Sequence, residues 1–177
     1  MAKILPEERA LKFIATRKTL FMATRNTKGV LWASYSPFVY HDGHFYVGIN
    51  YIAQHTRDLL ESNELCVFFR EDEENAKNIY ALERFAVNCL ARVVHEASAE
   101  WHEVIRLFEG KFGAQFELAR QLRDFYLFSL EPTDQGRYVR GFAQAFDVAA
   151  DFGSSVHVQG NHQERGGVSE PEDGKKR

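Results

Sequence analysis

Residues 79–94 alternate. Ile79, Ala81, Phe85, Val87, Cys89, Ala91 and Val93 put apolar groups at odd positions, broken by Glu83, while Arg84, Asn88 and Arg92 occupy even ones. A period of two over that length predicts one long strand with a buried face and a wet face. Strands twist, so one this long bends round a barrel rather than lying in a flat sheet.

The flanking segments fit that frame. Residues 19–24, 30–40 and 44–49 are short β-rich runs separated by turn chemistry at residues 26–29 and at Asp42-Gly43, which reads as an antiparallel meander. Pro37 inside the second run calls for a bulge or an edge position. Further strands are predicted at residues 65–69, 125–130 and 137–149, with a charged loop over 71–78 and a turn over 132–136. Helices are predicted from Pro6 to about residue 17, from about residue 52 to 62, from a Ser98 cap to Gly110 or Gly113, and around Phe116, Ala119 and Leu122. The expected class is α+β, a small antiparallel barrel with flanking helices, occupying residues 1–149 as one domain. Residues 150–177 hold 5 of the 12 glycines and few sizeable apolar groups, so they are expected to be a flexible C-terminal segment.

Charge and composition exclude several classes. With 22 Lys and Arg against 25 Asp and Glu, the net charge of -3 offers no field for nucleic acid. The uncharged stretches at residues 29–41, which contain Pro37, and at residues 43–56 are both too short for a membrane helix. With no apolar signal core at the N-terminus, a cytoplasmic protein is expected. Cys66 and Cys89 lie in apolar runs and read as buried thiols. P-loop, GxGxxG and GxSxG motifs are missing.

A few residues conflict with their surroundings. Asp124 falls at the end of a predicted helix, where the macrodipole disfavours a negative charge, directly before an apolar run. It needs a compensating group: Arg120 or Arg123, or a ligand histidine whose second ring nitrogen seeks a carboxylate. Arg84 breaks the apolar stretch and either points outward or grips an anionic group such as a propionate or phosphate. Among the histidines, His41 and His44 flank a turn, His95 and His102 lie near a helix start, and His55 sits on the apolar side of its helix. His157 and His162 occur in the C-terminal segment, as solvated tail residues or as a mobile arm that carries an imidazole to a ligand.

Taken in order, residues 17–20 (RKTL), 35–39 (YSPFV), 52–59 (IAQHTRDL), 122–132 (LRDFYLFSLEP), 136–146 (GRYVRGFAQAF) and 156–162 (VHVQGNH) resemble the HugZ/HutZ-type heme utilization proteins. That group belongs to the pyridoxamine 5'-phosphate oxidase-like, FMN-binding split-barrel superfamily. The resemblance covers about residues 17–162 and implies a homodimeric split β-barrel that binds heme b near the subunit interface. It also implies that O2 and an external electron donor open the macrocycle to a biliverdin-type product with release of iron. On the matching positions, His162 is the axial iron ligand, Asp124 hydrogen-bonds its other ring nitrogen, Arg84 looks towards the heme pocket, and Thr19 lies near the interface.

A heme has two apolar faces and two propionates, so it calls for an aromatic pocket, one axial base and cations at the edge. Two alternatives stay open. One is an FMN-dependent oxidoreductase in which His55, Thr56 and Arg57, with Arg17 and Lys18, hold a flavin phosphate. The other is a non-catalytic heme carrier or store that uses His162 and Asp124 without turnover.

Overall fold

In the computed structural model, which describes residues 4–159, one strand organises the sheet. After α1 (Pro6–Ala15), the chain forms β1 (Thr19–Arg25), β2 (Leu31–His41) and β3 (His44–Asn50) as a meander. Asp42 and Gly43, both at positive φ, make the tight turn between β2 and β3. α2 (Gln54–Glu61) leads into β4 (Glu64–Arg70), and β5 (Arg84–Val93) returns antiparallel to it. α3 (Ala99–Phe112) and α4 (Ala114–Arg120) precede β6 (Phe125–Pro132), β7 (Gly136–Val139), β8 (Ala145–Val148) and β9 (Ser155–His157). β4 pairs with β1 on one edge and β5 on the other, so six strands close into a barrel in the order β1-β2-β3-β6-β5-β4. The far edge of β5 is divided: Arg84–Ala86 pair with β7, whereas Cys89–Val93 pair with β6.

The long strand is shorter than its alternation suggests. Residues 79–81 form a 3-10 turn, capped by the Asn78 side chain on the Tyr80 N–H at 3.0 Å, and Ile79 and Tyr80 are exposed. Residues 137–149 are likewise two strands. Gly141 and Ala143, at positive φ, turn the chain between β7 and β8. The sheet also runs past residue 149: Phe152 packs into the core and β9 pairs with β8, so position 149/150 lies in the turn of a hairpin. Pro37 sits where β2 ends its ladder with β1 and begins the one with β3, a site that tolerates a missing N–H.

Two apolar clusters form. Inside the barrel, Leu20, Met22, Phe38, Phe45, Phe69 and Phe85 pack together, and Phe13 and Ile14 of α1 join them. On the outside, Val39, Tyr46 and Leu127 are covered by Val104, Ile105 and Phe108 of α3 and Phe116 of α4. β3 is therefore buried on both faces, which is why Tyr46 is enclosed although strict alternation puts it in water. Ser98 caps α3 by accepting from the Trp101 N–H at 3.1 Å. Among the described residues, no helix is long and apolar enough to cross a membrane.

Gly136 lies against the Phe85 ring so closely that a Cβ there would overlap it. Phe85 packs on Phe69 and Phe152 and has nowhere to retreat. Gly136→Ala is expected to cost about 1–3 kcal/mol in urea unfolding. An unchanged midpoint would show that the β5–β7 contact relaxes freely.

Candidate functional site

α3 and α4 cover one flank of the barrel and leave the outer face of β4, β1 and the first half of β2 bare. Alternation along those strands sends Cys66, Phe68 and Arg70 of β4 and Thr19, Phe21 and Ala23 of β1 outward, since Leu65, Val67, Phe69, Leu20 and Met22 are buried. An apolar groove results, lined by Phe21, Ala33, Tyr35, Cys66 and Phe68, with Arg70 at its end. Tyr35 is 64% exposed and Phe21 40%. Arg70 also lines an adjoining polar pocket with Arg17, Lys18 and Thr19.

Two of the four residues singled out in the sequence meet here. Arg84 stands directly opposite Arg70 across the β4–β5 ladder, and Phe21 stands opposite Phe68 across β1–β4. Thr19 and Arg70 line the same polar pocket, and Arg84 stands opposite Arg70, so the three form one outward row. Arg84 is half-buried, donates to the Leu82 carbonyl at 3.1 Å, and forms no ion pair among the described residues. Most of its donors are therefore free for an anion. Arg70 was overlooked in the sequence; its signal was the outward register with Cys66 and Phe68.

Asp124 lies elsewhere. It precedes β6, and its carboxylate accepts from the Asn50 amide at 3.4 Å and the Ile52 N–H at 3.3 Å. The expected partners do not compensate it: Arg120 pairs with Glu109 and Glu117 at 3.6 and 3.3 Å, and Asp124 makes no ion pair among the described residues. Two neutral donors where the β3–α2 and α4–β6 connections meet hold the charge instead. β5 joins β6 to β4, but along the β5–β6 ladder Asp124 lies past the Val93–Phe128 pair, at the end of β5 opposite Arg84, and it lines neither the groove nor the polar pocket. Asp124 and the Arg70–Arg84 row of one chain are thus not neighbours. His162 lies outside the described residues.

The remaining polar candidates are bonded within the fold. The Thr56 hydroxyl donates to the Asn50 carbonyl at 2.7 Å, and Arg57 donates to the carbonyls of Tyr51 and Ile52 and to Gln54. His55 Nδ1 meets Ser34 Oγ at 2.9 Å; burial lowers its pKa, outweighing Asp58, which keeps the imidazole neutral near pH 7. His157 contacts the Ala143 carbonyl and packs edge-on against Phe146. Among the described residues, no cluster of three or more His, Cys, Asp or Glu is placed to hold a metal ion.

Residues 6–137 match the model of the pyridoxamine 5'-phosphate oxidase family. The chain belongs to that family. Within this family it is similar to HutZ of Vibrio cholerae serotype O1, named a heme oxygenase, at 36% identity over 86% of each chain. The crystal structure of HutZ, there called the heme storage protein of Vibrio cholerae, superposes with a TM-score of 0.72 at 32% identity, covering 77% of this chain and 96% of that one. Campylobacter jejuni ChuZ gives a TM-score of 0.79 at 26% identity, covering 90% and 65%. The HutZ-type likeness read from the motifs is thereby met by relatives spanning most of the chain.

Cys66 faces the groove and Cys89 the barrel interior, so these adjacent-strand thiols are both free. Burial raises the pKa of each, more strongly for Cys89. Little thiolate forms at neutral pH, so a thiol probe should label the native protein slowly and take up two equivalents on denaturation. Rapid labelling of the native protein would contradict this reading.

Proposed function

We propose that the protein binds heme and opens the macrocycle oxidatively to a biliverdin-type product, releasing iron, with O2 and an external reductant in the cytoplasm. The observation that carries this reading is the 36% identity to a heme oxygenase over 86% of both chains. The groove supports it: an apolar, aromatic wall of Phe21, Tyr35 and Phe68 ends on Arg70 beside Arg84. That outline fits a flat apolar ring with two carboxylates at one edge.

Bound heme supplies the iron at which O2 is reduced. The chain's own residues hold and orient it. His162 is the axial base. Asp124, without a cationic partner among the described residues, has lone pairs free to accept the second ring N–H of that imidazole, which fixes the tautomer and raises ligand basicity. Arg84 offers its unpaired donors to an anionic group of the bound ligand or of reduced O2, and Thr19 lines the same row. In one chain Asp124 lines neither the groove nor the polar pocket beside it. The homodimer that the resemblance implies would complete the site between two copies, and the bare face of β4, β1 and the first half of β2 is available for that contact.

The flavin reading loses support because Thr56 and Arg57 spend their donors on backbone carbonyls and Gln54. The storage reading uses the same heme site and differs only in outcome. HutZ itself carries both names, which keeps this second reading in play.

His162→Ala should weaken heme binding, followed by the Soret band, at least about tenfold and shift the spectrum, and Asp124→Asn should cost about 10–100-fold in affinity or turnover. An unchanged spectrum in His162→Ala would refute the ligand assignment, and a monomer on sizing at micromolar concentration would refute the shared site.

Turnover is tested with ascorbate in air, catalase present. Loss of the Soret band with growth of a long-wavelength pigment is expected, and a persistent Soret band would make the protein a store.

A further inference from the structure

We propose that Arg17, Lys18 and Arg70 form a binding rim for a ligand's pair of carboxylates, which the chain's own Asp72 and Glu73 occupy until the ligand displaces them. This rests on the heme reading and adds how the propionates are held and what they compete with.

Arg17 and Arg70 are built into the fold. The Arg17 guanidinium lies 5.3 Å from the Phe13 ring centroid and bonds Thr16 Oγ1 through Nε and Nη2 at 3.2 Å each. Its Nη1 meets Asp72 Oδ2 at 3.0 Å, and Arg70 Nη1 meets Glu73 Oε1 at 2.5 Å. Exposure separates the partners: the arginine side chains are 21% and 33% exposed, the carboxylates 69% and 59%. The cations are fixed furniture of the pocket, and the acids reach in from solvent.

Charge and position point the same way. Arg84 faces Arg70 across the ladder, an arrangement of like charges that is unfavourable without an anion between or beside them. Arg17, Lys18 and Arg70 are three cations against the two carboxylates of Asp72 and Glu73, so the rim keeps one cation in excess with its internal acids in place. Arg70 lines both the polar pocket and the apolar groove, so a molecule lying in the groove presents its edge to the rim. The acidic turn is anchored at its base by Glu71, whose N–H donates to the Glu83 carbonyl at 2.7 Å and whose carboxylate accepts from the Glu83 N–H at 3.1 Å. Asp72 and Glu73 can thus let go of the arginines without unfastening the loop, and exposed pairs of this kind resist displacement only weakly.

The test compares wild type with the near-isosteric D72N/E73Q double variant and with R17Q/R70Q, titrating metal-free protoporphyrin IX and its dimethyl ester by fluorescence. Metal-free porphyrin removes the axial histidine from the readout. D72N/E73Q should bind protoporphyrin about three- to tenfold tighter, R17Q/R70Q should bind it more weakly, and neither change should carry over to the ester. Circular dichroism and melting confirm that the variants fold.

If wild type binds protoporphyrin and D72N/E73Q binds it equally or more weakly, the competition is overturned while the heme reading stands. If wild type binds neither heme nor porphyrin, both fall. Displacement of protoporphyrin by millimolar succinate would assign the rim to a free dicarboxylate and overturn the porphyrin assignment.

Discussion

Everything in this molecule follows from β5 pairing on both edges. Its ladder with β4 closes the barrel, and its other edge is shared between β6 and β7. Closure removes the open edges that a six-stranded antiparallel sheet would expose, and it decides which outer faces remain to be covered. α3 and α4 cover β2, β3 and β6, where Val39, Tyr46 and Leu127 point outward. No described helix does the same for β4, β1 and the first half of β2, so Phe21, Tyr35 and Phe68 are left lining a groove. The same ladder sets Arg70 opposite Arg84 at the groove's end. A binding surface with an apolar wall and a cationic edge is thus a consequence of where the barrel closes.

The electrostatics divide the site in two. On the β4–β5 side cations exceed their acids; before β6 a carboxylate is held by two neutral donors. An isolated carboxylate costs least where donors reach it, and the Asn50 amide and Ile52 N–H do so without neutralising it. Such a group stays available to a protonated ring nitrogen. In the proposed heme site the two halves have complementary tasks, the rim holding anionic edges and Asp124 tuning the axial base.

Much of the fold was legible because β structure writes its register into the sequence. The alternation at Phe85, Val87, Cys89 and Ala91 survives in β5, and Ser98 caps α3 as its position implies. Misreadings came where local geometry outweighed pattern. Ile79 and Ala81 extend the alternation by coincidence, while Asn78 coils them into a 3-10 turn. Two positive-φ residues split the last predicted strand, and only one of them is a glycine. Tyr46 defeats alternation because helices distant in sequence cover its face. At the site, Thr19 and Arg84 fall on one row as their outward register allows. Arg70 was hidden because an arginine at a strand end beside a charged loop looks like ordinary surface, and the Asp124 donors come from β3 and its loop, more than 70 residues away in sequence.

Covalent geometry bears on where the proposed axial base is delivered. β9 is fixed at the sheet's outer edge: Phe146 opposes His157, Ser155 Oγ donates to Glu7 Oε2 at 2.5 Å, and the Val158 N–H donates to the Ala145 carbonyl at 2.8 Å. Ala145 is the register partner of Val139, which is the partner of Arg84. The chain therefore leaves the sheet in line with the Arg84 row. From Gln159 to His162 it can extend at most about 11 Å. That reach starts three strands from Arg84 in the order β5-β7-β8-β9, on the order of 14 Å across the sheet. In the proposed heme site the axial base is thereby tethered to the edge of the sheet that carries the Arg84 row.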